Sequence, residues 1–120
     1  MSRAMKSLIV LEEIAIFVVC ILVFAATDWA WWWFPALLLA PDIGMIGYLA
    51  GTEVGAVTYN LVHHRGVALA LGGLGLWLGL PVLQLAGLIM LAHISMDRAL
   101  GYGLKYTDSF DHTHLGRLAS

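Results

Sequence analysis

The sequence predicts an all-α fold: an integral membrane bundle of four transmembrane helices in a single domain. Of its 120 residues, 61% are hydrophobic and only 12% are charged, and the mean hydropathy is +0.86. A soluble domain averages roughly 45–50% apolar and 25% charged residues. A chain of this size cannot bury so much apolar surface inside itself, so we expect a lipid bilayer to cover the rest.

The four predicted spans follow from the lengths of the apolar stretches. A transmembrane helix needs about 20 mainly apolar residues, and four segments approach or exceed this length: 7–26, 29–50, 54–80 and 81–100. The remaining segment, 101–120, is polar, and we expect it to lie on the membrane surface.

One or two of these helices are predicted to be broken. Pro41 interrupts the second span, because proline cannot donate a backbone hydrogen bond to the preceding turn. The third span contains the polar sequence His63-His64-Arg65-Gly66, and the apolar stretch after it is short for a full crossing. We therefore predict a break or kink near His63, with a continuous tilted helix over 54–80 as the alternative.

The basic residues predict that both termini lie in the cytoplasm. With four spans and an internal N-terminus, every Lys and Arg falls on the cytoplasmic side, as the positive-inside rule requires. The aromatic run over 29–34 then lies at the outer interface, where amphipathic rings are enriched. The net charge of −2 and the absence of a basic tract argue against a nucleic-acid partner.

Ionisable side chains inside the apolar spans define the candidate functional site. Such a group costs at least ~2.5–3.5 kcal/mol near the centre of a span, so it normally faces the bundle interior and pairs with another polar group. The predicted topology puts these groups at a similar depth in the cytoplasmic half, which favours one shared site. They are Glu12, Glu13, Asp42, His64, His93 and Asp97.

The spacing of these residues suggests how they meet. His93 and Asp97 are four residues apart and share one helical face. Adjacent histidines face different sides of a helix, and His64 is favoured over His63 if a new helix begins at Arg65. Carboxylates and imidazoles are the ligands of a metal site. In the alternative interpretation, Asp97 pairs with an arginine, and Asp42 caps a half-helix.

Basic and tyrosine side chains just beyond the fourth span are candidates for binding an anionic group. They are Arg98, Tyr102, Lys105 and Tyr106. They are suited to a phosphate or an anionic lipid headgroup, or they serve as ordinary anchors at the membrane surface.

Polar motifs recur along nearly the whole chain. They are Leu11-Glu12-Glu13, residues 40–48, Tyr59-Asn60 through Gly66, His93 with Asp97-Arg98, residues 101–106 and 113–116. Together these motifs resemble the domain-of-unknown-function family 4260. The resemblance implies a small multi-pass protein of the bacterial inner membrane, and it implies no activity.

The order of three motifs is also similar, more loosely, to the inner-membrane metal-dependent hydrolase group. Those proteins carry P-D-I-D, H-R-G-x-T-H-S and a final H-x-x-x-D. The resemblance implies that Asp42, His64, His93 and Asp97 are metal ligands. Two expected ligands are missing, because Gly44 replaces the second aspartate and residues 67–69 replace T-H-S, and Glu12 or His63 could substitute for them.

The leading functional hypothesis is a metal-dependent hydrolase that acts on a lipid or a phosphoester, with Zn²⁺ as the preferred divalent ion. Asp97 and Glu12 are the catalytic candidates, Glu12 as base or fifth ligand, while Arg98 and Tyr102 bind the substrate. The alternatives are an ion or proton transporter subunit, which would need a homo-oligomer, a haem protein ligated by His64 and His93, and a non-catalytic protein whose polar cluster fixes helix packing.

Overall fold

The computed structural model describes residues 1–117, which are mainly helical, as the sequence predicted. A 3₁₀ helix separates the second and third α-helices, and two short antiparallel strands lie in the tail. The α-helices are α1 (Arg3–Ala25), α2 (Trp33–Leu37), α3 (Thr52–Val62), α4 (Arg65–Leu78) and α5 (Pro81–Ala99), the 3₁₀ helix is Ala40–Ala50, and the strands are β1 (His112–Thr113) and β2 (Gly116–Arg117). Residues 118–120 of the predicted tail lie outside the described residues.

Three stretches are long and apolar enough to cross a membrane, rather than the four expected. They are α1, the stretch Trp33–Ala50, and α5. The apolar helix α4 has 14 residues and is therefore about 21 Å long, which is shorter than a hydrocarbon core of about 30 Å. Within residues 1–117 the count of four full-length spans is not confirmed, because the predicted third span is divided.

The division of the third span falls where the sequence predicted it. Helix α3 ends at Val62 and α4 begins at Arg65. His64 lies between them in an extended conformation, and its Nδ1 accepts a hydrogen bond of 3.0 Å from the Gly66 N–H. This contact satisfies one of the unpaired N–H groups at the start of α4. The alternative of one continuous helix over 54–80 is wrong.

The second predicted span is also interrupted, near Pro41. Helix α2 ends at Leu37, and Pro41 is the second residue of the 3₁₀ helix, where its missing N–H is tolerated. A 3₁₀ run of 11 residues is unusually long, and it is held against α3 by close contacts. Gly44 and Gly47 both lie against Thr58, whose hydroxyl donates to the Gly44 carbonyl at 2.7 Å.

Small residues bring α4 and α5 close together. Gly87 of α5 lies against the backbone of Ala68 and Gly72, and Gly75 lies against the backbone of Gln84. Small side chains allow such approach between helices in a membrane. The small-residue face of α4 is therefore covered by a helix of the same chain.

The antiparallel pair α1 and α5 gives the molecule two different ends. Where α1 begins and α5 ends, Lys6 and Arg98 line a common cavity. We call this the polar end. Where α1 ends and α5 begins, Phe24 packs with Leu85 and Ile89, and the rings of Trp29, Trp33 and Phe34 cover them. We call this second cluster the aromatic end.

Candidate metal centre

Four side chains from three elements converge in the interior near the polar end. The 3₁₀ helix supplies Asp42, the residue after α3 supplies His63, and α5 supplies His93 and Asp97. One ligand atom from each residue lies within 4.8 Å of the other three. We call these four residues the Asp/His cluster.

The distances within the Asp/His cluster are short and similar. The Nε2 atoms of His63 and His93 are 3.0 Å apart. Oδ1 of Asp42 lies 3.4 Å from His63 Nε2 and 3.0 Å from His93 Nε2. Oδ2 of Asp97 lies 3.3 Å from each of the same two nitrogens. The four atoms therefore surround one small central volume.

Backbone carbonyls fix the orientation of both imidazole rings. His63 Nδ1 lies 2.9 Å from the Tyr59 carbonyl oxygen, and His93 Nδ1 lies 2.6 Å from the Leu38 carbonyl oxygen. A carbonyl oxygen only accepts, so each Nδ1 donates and carries the proton. In the neutral ring, Nε2 then directs its lone pair into the cluster. This second contact is the one that orients metal-ligating histidines in proteins.

The electrostatics of the Asp/His cluster call for a cation. His63, His93 and Asp97 are buried, with exposures of 2%, 0% and 8%. Two lone pairs and two carboxylates facing one another in such a place repel unless a positive charge lies between them. The Tyr59 hydroxyl donates to Asp97 Oδ2 at a long distance, 3.4 Å. A metal ion, or protons shared among the four groups, would remove the repulsion.

The structure brings together three of the four predicted ligands, Asp42, His93 and Asp97, and their role as ligands stays a prediction. His64 is not among them, and His63 takes its place. A new helix does begin at Arg65, as the choice of His64 assumed. However, the residue before a helix is the one that caps it, and the His64 ring is used there.

Of the two consecutive glutamates of α1, the structure buries Glu13 and not Glu12, which the sequence analysis had favoured. Glu12 is on the exposed surface of α1 and is not part of the Asp/His cluster. Glu13 is buried and forms an ion pair with Arg65. Consecutive helical residues point about 100° apart, so only one of the two can face the interior.

The two predicted substrate-binding residues lie where α5 ends. Nη2 of Arg98 donates to the His63 carbonyl oxygen at 2.9 Å, which fixes the chain at the break between α3 and α4. The Tyr102 side chain is exposed, and its backbone N–H donates to the Asp97 carbonyl at 2.8 Å. Substrate binding by Arg98 and Tyr102 stays a prediction.

The tail is joined to α3 by contacts that the sequence did not predict. The Asn60 side chain pairs with the backbone of Lys105, donating at 2.9 Å and accepting at 2.7 Å. The buried Lys105 ammonium lies 3.9 Å from the centre of the Phe110 ring and 4.9 Å from that of Tyr59. Burial lowers the pKa of Lys105, whereas the charges of Asp97 and Asp111 act in the opposite direction.

Sequence reasoning assigned no role in the site to Tyr59. Its ring stacks on that of His63 at 3.7 Å between centres. Tyr59 precedes His63 by four residues, so the two share one face of α3. That i, i+4 spacing, applied to His63 and not to His64, was the available signal.

These features define a small helical protein with three stretches able to cross a membrane and a buried Asp/His cluster. The chain belongs to the family described as domain of unknown function (DUF4260), which matches residues 6–118. The family predicted from the polar motifs is therefore confirmed. No curated protein and no solved structure matches the chain, and the looser resemblance to the metal-dependent hydrolase group is not supported.

Proposed function

We propose that this chain is an integral protein of the bacterial inner membrane that binds a divalent metal ion, preferably Zn²⁺, and hydrolyses a lipid-borne phosphoester. The proposal includes cytoplasmic termini, because the polar end gathers basic residues such as Lys6, Arg65 and Arg98. The observation that carries it is the Asp/His cluster, in which two oriented Nε2 atoms and two carboxylates face one point.

The spacing of the four donor atoms fits zinc. Ligand bonds of about 2.0–2.1 Å in a tetrahedron place neighbouring donors about 3.3 Å apart. Five of the six pairs in the cluster lie between 3.0 and 3.4 Å, and the sixth, between the Asp42 and Asp97 oxygens, lies within 4.8 Å. Imidazole nitrogens suit zinc better than they suit magnesium or calcium, which prefer oxygen ligands alone.

The cluster is open on the side of Asp42. The Asp42 side chain is 34% exposed, whereas the side chains of His63 and His93 are closed off. Pro41 and Ile43, on either side of Asp42, line an apolar groove of about 300 Å³ together with Ile89 and Met90 of α5. This groove supports a lipid-borne substrate, because an acyl chain would lie in it beside the open face.

In this proposal the protein holds the ion and moves the proton. Bound zinc would lower the pKa of a water molecule and polarise a phosphoryl oxygen. His63 and His93, fixed by their carbonyl partners, would hold the ion in place. Asp42 is the carboxylate at the open face, so it would leave its position on the ion to the attacking water and accept the proton of that water. His63, His93 and Asp97, the last with its Tyr59 contact, would remain as the three ligands.

A combined metal and activity measurement tests the proposal. Protein purified in detergent should carry about one metal ion per chain, and phospholipid-analogue hydrolysis in mixed micelles should stop with chelator and return with Zn²⁺. Asp42→Asn should abolish hydrolysis, whereas Asp28→Asn, an exposed aspartate after α1, should change nothing. Stoichiometric metal without hydrolysis of any phosphoester would reject the enzyme and leave a structural metal site.

The contact between the two histidines favours one second candidate, a proton or ion pathway. Nε2 atoms 3.0 Å apart with flanking carboxylates can share protons. A pathway would have to continue through the aromatic end, which is built from Phe24, Leu85, Ile89 and tryptophan rings. A bound metal therefore accounts for the cluster better. The two histidines of the haem hypothesis are not placed to ligate one haem, because the His64 ring caps α4 at the surface whereas the His93 ring is buried.

A further inference from the structure

A second cavity lies at the polar end, apart from the Asp/His cluster. It has a volume of about 350 Å³ and lies between the start of α1, the end of α5 and the tail. Its charged lining is Lys6, Arg98 and Arg117, and its apolar lining includes Ile9 and Val10 of α1. We call it the basic pocket.

Three positive side chains, Lys6, Arg98 and Arg117, lie in the lining of the basic pocket. Among the described residues that line it, none is an aspartate or a glutamate. Within residues 1–117 the Lys6 ammonium has no ion-pair partner. Arg98 uses Nη2 for the His63 carbonyl, and a guanidinium has five N–H donors in all. Arg117 is shared with Asp108 and Asp111 outside the lining, at 3.8 and 3.6 Å.

The tail beside the pocket experiences this positive charge. His114 precedes Leu115, which lines the pocket. The pKa of His114 is lowered, first by burial and then by the charge of Arg98, with a smaller contribution from Arg65. Positive charge that disfavours a protonated imidazole favours a bound anion in the same place.

We propose that the basic pocket binds a phosphate group, either the headgroup phosphate of an anionic lipid or a free phosphate. Lysine and arginine are the usual phosphate ligands of proteins, lysine as a point charge and arginine through its planar fork. If α1 crosses a membrane, the pocket at its start would lie at the depth of the lipid headgroups. Lys6 and Arg98 would then face the headgroups, and Ile9 and Val10 would lie closer to the hydrocarbon core. None of its lining residues belongs to the Asp/His cluster, so the two candidate sites are formed by different side chains.

The test compares two single-charge variants of α1 in the full-length protein as purified in detergent. Native mass spectrometry would measure retention of phosphatidylglycerol against phosphatidylcholine, and calorimetry would measure binding of inorganic phosphate. Lys6→Gln should weaken binding about fivefold. Arg3→Gln removes the same charge three residues away, outside the pocket lining, and should leave binding unchanged.

Each outcome decides the proposal. Phosphatidylglycerol bound in a Lys6-dependent manner, without binding of inorganic phosphate, identifies a lipid headgroup site. Lys6-dependent binding of inorganic phosphate identifies a site for free phosphate. An equal loss in Lys6→Gln and Arg3→Gln would mean general attraction to surface charge and would overturn the proposal. Absence of binding by both probes in the wild type would overturn it too.

Discussion

The polar end and the aromatic end of the molecule are stabilised in different ways. At the polar end, ion pairs and hydrogen bonds join different elements. Glu13 pairs with Arg65, Arg98 donates to the His63 carbonyl, and the Asn60 side chain is bonded to the Lys105 backbone. At the aromatic end, Gln84 of α5 donates to the Gly75 carbonyl of α4 at 3.1 Å, and the other contacts named here are between apolar rings. The centres of Phe24 and Phe34 are 5.3 Å apart, and those of Trp29 and Trp33 are 5.9 Å apart.

This difference suggests that the polar end determines how the helices are placed relative to one another, whereas the aromatic end contributes less specific packing. Loss of one partner from a buried ion pair leaves an uncompensated charge, which is expensive. Aromatic packing between helices in lipid has no hydrophobic driving force behind it, because lipid tails are as apolar as the side chains. Substitutions at the polar end should therefore have large and specific effects, and those at the aromatic end smaller and general ones.

The largest loss of stability is expected from the ion pair of Glu13 and Arg65. Glu13→Gln leaves the Arg65 guanidinium without its partner and should cost about 2–4 kcal/mol of unfolding free energy, since Arg65 is partly exposed. Glu12→Gln, one residue away on the exposed surface, should cost less than about 0.5 kcal/mol. Denaturation in mixed micelles measures both.

A double variant sharpens this result. Glu13→Leu combined with Arg65→Met removes both charges and should recover most of the stability lost in the single variant. If the double variant is as unstable as the sum of two single losses, the pair is not what holds α1 to the start of α4. The comparison of the two ends would then fail at the polar end.

A smaller loss is expected at the aromatic end. Leu85→Ala leaves a cavity beside Phe24 and should cost about 1–2 kcal/mol, since lipid removes the transfer contribution to such losses in water. Metal content should stay at the wild-type level, because Leu85 is at the opposite end of α5 from Asp97. Loss of metal in Leu85→Ala would show that the ends are coupled and would break the comparison.

The smallest effect concerns pH and the tail. His114 Nδ1 accepts a hydrogen bond from the Leu104 N–H at 2.8 Å, which requires the neutral ring. The folded pKa of His114 is below its ordinary value of 6.5. Its contribution to stability is therefore complete above about pH 6.5 and is lost as the pH falls through the lower folded pKa. The Leu104 amide signal, followed by NMR, should move on acidification.

A matched variant checks the assignment of this pH effect. In His114→Ala the amide should be displaced at neutral pH already and should show little further change on acidification. An unchanged titration of the Leu104 amide in that variant would contradict the assignment to His114.

The sequence predicted the parts of this structure that depend on composition and on strong local signals. Helical stretches follow from apolar length, and the break near His63 follows from a polar run inside an apolar one. The convergence of Asp42, His93 and Asp97 followed from the cost of isolated charges in lipid, which favours their meeting at one depth.

The sequence did not predict choices between neighbouring residues. His63 and His64 have the same chemistry, and only capping of α4 decides which ring turns outward. Glu12 and Glu13 differ only in the direction they face, which is set by contact with Arg65. The long 3₁₀ helix is held by contacts of its glycines with Thr58. Thr58 is 14 residues away from Gly44 in the sequence. These outcomes depend on tertiary contacts, so local sequence patterns do not predict them.

The same pair of histidines provides the most direct test of the central claim, that the Asp/His cluster is a metal site. Elemental mass spectrometry would measure metal per chain in His63→Ala and His64→Ala, two identical substitutions at adjacent positions. We predict near-stoichiometric metal in the wild type and in His64→Ala, and its loss in His63→Ala. Equal metal content in both variants, or a wild type without metal after zinc supplementation, would contradict the claim.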